Sequence, residues 1–334
     1  MKNKILVVPG NTDLNRGDQA LTWESIEIAK SVLDNSEIFL YKASEENSGQ
    51  SKINYQTSLL GHKFLSRILL HPRRDKKNKD IKFTKFHFIK WGLTASIDTI
   101  LTLMLLSKFK LFNKISLIFF NKGQKETYHH FKDLKAIFIK GGGFLHSYGS
   151  ITDAYVMYFQ LFDALLAINL GVKVYILPNS IGPLKNRLAR RIVKHVLTKA
   201  SLVYARESVS QKFLKSMDVN SILSRDLGFY LMPSEADFKS YLLERGVPLN
   251  TKKNIAITLR PYRFDGSEKP ETLYRNYVKQ FEDIINGLVV NGYSVSLFAH
   301  TLGPRAHEND SIPLLEIYDK FEKNIDVLYL HDIK

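Results

Sequence analysis

The sequence predicts an α/β fold built on an open, doubly wound parallel sheet. Two observations carry this expectation. Short β-branched and aromatic runs alternate with longer helical patterns, which is the rhythm of parallel strands joined by crossover helices. Unusual loops follow the strands directly, at the carboxyl ends where open sheets collect ligands. A chain of 334 residues that is 44% hydrophobic also exceeds the length at which single cores stop growing, so two domains are expected.

Strands are expected at KILVV (4–8), EIFLY (37–41), AIFIK (136–140), KVYIL (173–177), SLVYA (201–205) and SILSR (221–225). The first crossover helix should begin near Asp18, beside Gly17, and run to about Leu33, with Ala20, Trp23, Ile26, Ile28, Ala29 and Val32 on its apolar face. Further helices fit 151–170 and 184–199. In the second of these, Leu188, Ile192, Val196 and Leu197 alternate with Arg187, Arg190, Arg191 and Lys194, a solvated basic face. From Asp226 to about Asn250 the strands stop, as in a linker. A second unit follows, with strands at 254–259, 294–298 and 326–330 and helices over 271–290 and 311–323. This divides the chain into a first domain at 1–235 and a partial second one at 251–334.

The stretch 51–130 reads as an insertion, a basic segment (HPRRDKKNKDIKFTK) followed by an apolar one containing Asp98, Lys108, Lys110 and Lys114. No clean run of about 20 apolar residues is expected for a spanning helix. Two readings stand for the apolar part. One is a pair of core-packed helices; the other is a peripheral contact with an anionic membrane face.

Composition narrows the function. With no cysteine, disulfides, thiolate-bound metal and cysteine nucleophiles are excluded, and a cytoplasmic setting is expected. The first apolar run reaches Pro9 too early for a signal-peptide core. The net charge of +15 suits nucleic acid, anionic lipid and anionic substrate alike. Nucleic acid ranks last, because the basic residues are scattered and no binding motif accompanies them.

Four loops carry candidate chemistry. PGNTDLNRGDQAL contains Gly10, Asn11, Gly17 and Asp18, the last as an N-cap or as a carboxylate in the ligand crevice. KGGGFLHSYG places Gly141, Gly142 and Gly143 where backbone amides can meet an anion, with His146 as a proton carrier or an ordinary loop side chain. It matches neither a dinucleotide nor a phosphate-loop fingerprint. PNSIGP reads as a stiff turn, and RESVS puts Arg206 and Glu207 at a strand-to-helix junction, where Arg206 suits a phosphate or carboxylate. In the second unit RPYRFDG carries Arg260 and Arg263, and AHTLGPRAHEND carries His300, Arg305, His307 and Asp310. No metal site is expected.

The ordered set GNTDLNRGDQAL, KGGGFL, PNSIGP, ARESVS, RDLGF and ITLRPY resembles the polysaccharide pyruvyl transferase family over most of the chain. The resemblance implies an enzyme with two Rossmann-like domains in a GT-B-like arrangement around a cleft. Asn11, Gly17, Asp18 and the three glycines would then line that cleft, with Arg206 and Arg260 near it. It implies phosphoenolpyruvate as donor substrate, no cofactor, and an oligosaccharide or lipid-linked saccharide acceptor. Asp18, His146 and His300 are the candidates for its proton transfers. The family pattern continues into a further strand and an Arg-x-His loop, whereas these residues end at HDIK, so the second domain reads as incomplete. A nucleotide-sugar glycosyltransferase and a partner-dependent fragment are the alternatives.

Overall fold

The first strand is apolar on both faces, as a sheet covered by helices on both sides requires. Ile5, Leu6, Val7 and Val8 are all buried, and they divide between two cores. Leu6 and Val8 join Phe39, Ile137, Phe162 and Val193 on one face, and Ile5 and Val7 join Ile26, Ala29, Leu40 and Phe138 on the other. The computed structural model describes residues 2–9, 12–42, 55–73, 84–232, 237–244, 252–264, 266–303, 306–321, 324 and 326–330. The chain divides into two units, Met1–Asp13 with Asp18–Leu231, and Leu14–Gly17 with Met232–Lys334.

The first unit contains β1 (Asn3–Val8), α1 (Arg16–Val32, whose first residues count with the second unit), β2 (Ser36–Tyr41), α2 (Tyr55–Leu59) and β3 (Lys63–Leu65). It continues through α3 (Lys85–Leu105), α4 (Lys110–Phe119), α5 (Lys122–Asp133), β4 (Ala136–Ile139), β5 (Gly142–Ser147) and α6 (Asp153–Asn169). It ends with β6 (Lys173–Leu184), α7 (Arg187–Lys199), β7 (Leu202–Ala205), α8 (Ser208–Lys215) and β8 (Ile222–Leu223). The strand order is β3-β2-β1-β4-β6-β7-β8, with β5 beside β6, and the paired strands run parallel. This is the α/β fold expected from the alternation of strand and helix signals.

The second unit holds α9 (Phe238–Glu244), β9 (Asn254–Ile257), α10 (Pro270–Val290), β10 (Ser294–Phe298), α11 (Ser311–Phe321) and β11 (Val327–Leu330). Its strands run parallel in the order β11-β10-β9, and Val278, Ile285, Val295, Leu297 and Leu314 form its core. Leu14–Gly17 is held here by hydrogen bonds from Leu302 N to Leu14 O at 2.7 Å and from Arg16 N to His300 O at 3.1 Å.

Several local expectations are corrected. PNSIGP is not a turn, because β6 runs through it to Leu184. The glycine stretch is not a free loop either: β5 lies along the extension of β6, pairing Gly142 with Asn179 and Leu145 with Ile181. A neighbouring strand satisfies the backbone there, which local turn signals do not reveal. The buried face of α1 is small and polar, with Gln19, Thr22 and Ser25 beside Ile26 and Ala29, while Val32 is exposed. In α7 the buried residues are Ala189, Val193, Val196 and Leu197, and Leu188 faces solvent.

The segment 51–130 departs most from expectation. Part of it belongs to the main architecture: β3 pairs with β2, and α5 buries Tyr128 and Phe131 in the core before entering β4. The apolar part is not a core-packed pair. In α3 only Trp91, Thr102 and Leu105 are buried, and in α4 only Ser116. By length and composition α3 is also long and apolar enough to cross a membrane, contrary to the expectation of no clean run, since Asp98 is the single charged residue between Lys90 and Lys108.

Candidate functional site

In the first sheet the chain lays down β1, β2 and β3 in one direction and then returns to place β4, β6, β7 and β8 on the other side. The reversal falls between β1 and β4, and the carboxyl ends of the strands at such a reversal are where open α/β sheets collect ligands. Val8 and Ile139 stand opposite each other at those ends. Lys140 follows Ile139, and its backbone N donates to Val8 O at 2.7 Å.

That geometry sends the Lys140 side chain into the interior, where it is 1% exposed. Its ammonium donates to Asp18 Oδ1 at 2.6 Å and reaches Asp18 O at 3.4 Å. Burial lowers the Lys140 pKa from its ordinary value, and the Asp18 carboxylate opposes that shift. Asp18 stands in the first turn of α1 rather than at its N-cap, so its carboxylate also faces the positive end of the helix dipole.

The glycines following Lys140 differ in role. A Cβ on Gly141 would sit 2.9 Å from Pro178 O and 3.0 Å from Leu227 Cδ1, so the chain passes there only without a side chain. Gly142 lies opposite Asn179, whose amide donates to Lys140 O at 2.9 Å and Leu177 O at 2.8 Å, while its buried Oδ1 has no hydrogen-bond partner among the described residues. Gly143 is exposed, and a Cβ there would lie 3.6 Å from Arg206 Nη2. His146 turns back on this stretch, with Nδ1 3.0 Å from Gly143 O and its ring beside Tyr148.

Arg206 follows β7, and its backbone N donates to Asn179 O at 3.0 Å. Its guanidinium pairs with Asp226 at 2.8 Å and Glu207 at 3.4 Å. Burial alone would raise the Glu207 pKa, but hydrogen bonds from Ser210 and Ser180 and the adjacent Arg206 outweigh it and hold the carboxyl below its ordinary value. An open groove of about 760 Å³ runs past these groups, lined by Arg206, Glu207, Ser224, Arg225, Asp226 and Tyr230.

Asp18, the glycines 141–143, His146 and Arg206 all therefore lie in the first unit, tied through Lys140 and Asn179. Sequence reading passed over Lys140, Asn179 and Asp226. The available signal was a lysine ending the apolar AIFIK strand and running straight into three glycines. Asp13 was missed as well: its buried carboxylate accepts from Thr57 N at 2.9 Å and from the Thr57 hydroxyl, anchoring the loop after β1.

Gly17, His300, Arg260 and Arg263 belong to the second unit. A Cβ on Gly17 would meet His300 Nε2 at 3.1 Å, so the glycine makes room for the imidazole. Asp310 Oδ2 accepts from the backbone N of His300 at 3.1 Å and of Thr301 at 2.8 Å, and its buried Oδ1 has no hydrogen-bond partner among the described residues. Arg260 and Arg263 are exposed in the segment after β9. Asn11 and Arg305 lie outside the described residues. Among the described residues, no grouping of three or more His, Asp or Glu side chains is spaced to hold a metal ion.

Comparisons with known proteins add a family and two fold neighbours. The family model for polysaccharide pyruvyl transferase matches residues 15–334. Among solved structures, the chain is similar to the UDP-GlcNAc 2-epimerase from Neisseria meningitidis bound to UDP-GlcNAc. That match has a TM-score of 0.49 and 11% identity and covers 100% of this chain and 73% of the other. The UDP-N-acetylglucosamine 2-epimerase from Rickettsia bellii matches with a TM-score of 0.44 and 11% identity over 99% and 69% of the two chains. No curated protein matches the sequence. With the family match running from the residue before α1 to the last residue of the sequence, the chain belongs to the polysaccharide pyruvyl transferase family.

Proposed function

We propose that this chain is a cytoplasmic enzyme that moves pyruvate from phosphoenolpyruvate onto two hydroxyls of a saccharide acceptor, forming a ketal and releasing phosphate. The observation that carries this reading is the Lys140–Asp18 pair at the strand-order reversal, followed directly by the glycines, of which Gly143 passes beside Arg206. A donor bearing phosphate and carboxylate needs fixed cations and exposed amides, and Gly143 and Arg206 are groups of that kind.

The reaction needs a proton delivered to the methylene carbon of the donor, which leaves the neighbouring carbon open to a sugar hydroxyl. That hydroxyl loses its proton as it bonds, phosphate departs, and a second hydroxyl closes the ring with loss of another proton. Asp18 is the carboxylate assigned to proton transfer in the first unit, and Lys140 positions it. His146 is the second proton carrier there, because its ring is oriented by Gly143 O.

Incubation with phosphoenolpyruvate and a panel of oligosaccharides tests the proposal. Phosphate release matched by a mass gain of one pyruvate ketal is the expected result. Binding of a nucleotide sugar in place of phosphoenolpyruvate, with glycosyl transfer to the same acceptors, would replace this reading by a glycosyltransferase.

A further inference from the structure

We infer that the outward face of α3 and α4 is a lipid-binding surface that lays this chain on an anionic bilayer. The two helices are inverted relative to a soluble protein. Phe86, Ile89, Leu93, Ile97, Ile100 and Leu103 recur at helical spacing along one side of α3 and are each between 52% and 72% exposed. The opposite side, turned toward the protein, carries Trp91, Asp98, Thr102 and Leu105. In α4 the outward residues are Leu111, Phe112, Ile118 and Phe119, and the inward ones include Asn113, Ser116 and Leu117, the last against the main core.

The pair is built rigidly. Asn113 Nδ2 reaches Met104 O, Leu105 O and Ser107 O at 2.9 to 3.0 Å, tying the first turns of α4 to the carbonyl end of α3. Tyr158 in α6 donates to Thr102 Oγ1 at 2.9 Å, and Leu105 enters the main core. These bonds hold α3 by its polar side along the body of the first unit. The helix therefore lies along a surface with its apolar side outward, although it is long enough to span one.

Charge selects the occupant. Between 85 and 125 the sequence has seven lysines, at 85, 90, 108, 110, 114, 122 and 125, against the acidic residues Asp98 only. By helical position Lys85 and Lys90 flank the apolar stripe of α3, and Lys108, Lys110 and Lys114 are exposed in and before α4. A second copy of the chain docked on this face would bring like charges together. A bilayer with anionic headgroups accepts both the apolar side chains and the lysines that surround them.

The test is flotation of the full chain with vesicles of phosphatidylcholine alone or of phosphatidylcholine with about one quarter phosphatidylglycerol. Binding to the anionic vesicles is expected, falling steeply with salt. The double substitution Leu93→Asp with Ile97→Asp should reduce the partition at least tenfold, and Lys108→Glu with Lys110→Glu should reduce it severalfold and flatten its salt dependence. Both changes fall on exposed side chains, so circular dichroism and melting should match the parent. Three results would overturn the inference: no vesicle binding, binding unchanged in both variants, or a vesicle-free dimer that the aspartates abolish. Resistance of bound protein to extraction at high salt and alkaline pH would replace surface binding by insertion. No donor or acceptor enters this measurement, so it stands or falls separately from the proposed transfer reaction.

Discussion

Two regions of the first unit place side chains against expectation in opposite senses. At the strand-order reversal a lysine is almost fully buried, held by one carboxylate, where a sheet of this kind is otherwise apolar. On α3 and α4 a broad set of phenylalanines, leucines and isoleucines stands in solvent, while the side facing the protein mixes Asp98, Thr102 and Ser116 with Trp91 and Leu105. Stability alone favours neither arrangement, because a buried ion pair is seldom better than an apolar substitute and an exposed apolar side chain gains nothing on folding. Each place is where one of the two proposals rests, an anionic ligand in the first case and an apolar surface in the second.

The comparison is broken most strongly at Asp18. Asp18→Asn leaves the Lys140 ammonium buried without its carboxylate, and a loss of about 3 kcal/mol in urea unfolding is expected, together with loss of transfer. Gly141→Ala comes next at about 2 kcal/mol, since the new Cβ meets Pro178 O and Leu227 and strands pack too tightly to give way. Lys140→Met should cost only about 1 kcal/mol, because Asp18 is partly exposed and can turn to water once the cation is gone. An equal loss in the two charge variants would show that the pair is not asymmetrically buried.

Two smaller effects sharpen the contrast. The Glu207 carboxyl is held below its ordinary pKa, so its contribution is present above the unfolded value and is lost as pH falls through the folded one. Between about pH 5 and pH 3 the parent should therefore lose more stability than Glu207→Gln, by no more than about 0.5 kcal/mol given the exposure of this pair. Smallest of all, Leu93→Asp with Ile97→Asp should move the melting midpoint by less than the equivalent of about 0.5 kcal/mol, although two large apolar groups are replaced by charge. A large destabilisation there would mean that the face is covered by the protein itself.

Much of the scaffold was legible locally. β1, β2, β4, β7 and β10 fall within a residue of their expected positions, because a strand covered on both sides must be a short β-branched or aromatic run wherever it occurs. Asp18, the glycines and Arg206 were legible as candidates because they follow strands, and the chemistry of open sheets gathers there. β5 was not legible, since a glycine run next to an extended β6 looks the same as a free loop until the partner strand is known. Lys140 reads as an unremarkable strand end for a similar reason: its carboxylate partner lies 122 residues away.

By itself the sequence determined the kinds of element and the motifs at their ends, because periodicity, β-branching and glycine act within a few residues. Only the tertiary structure decided which strands are neighbours, and hence that the reversal falls beside Lys140. It also decided which side of α3 meets the protein. An amphipathic helix announces two faces, but whether the apolar one turns inward depends on the polar anchors, here Thr102 and Asn113, that other elements supply.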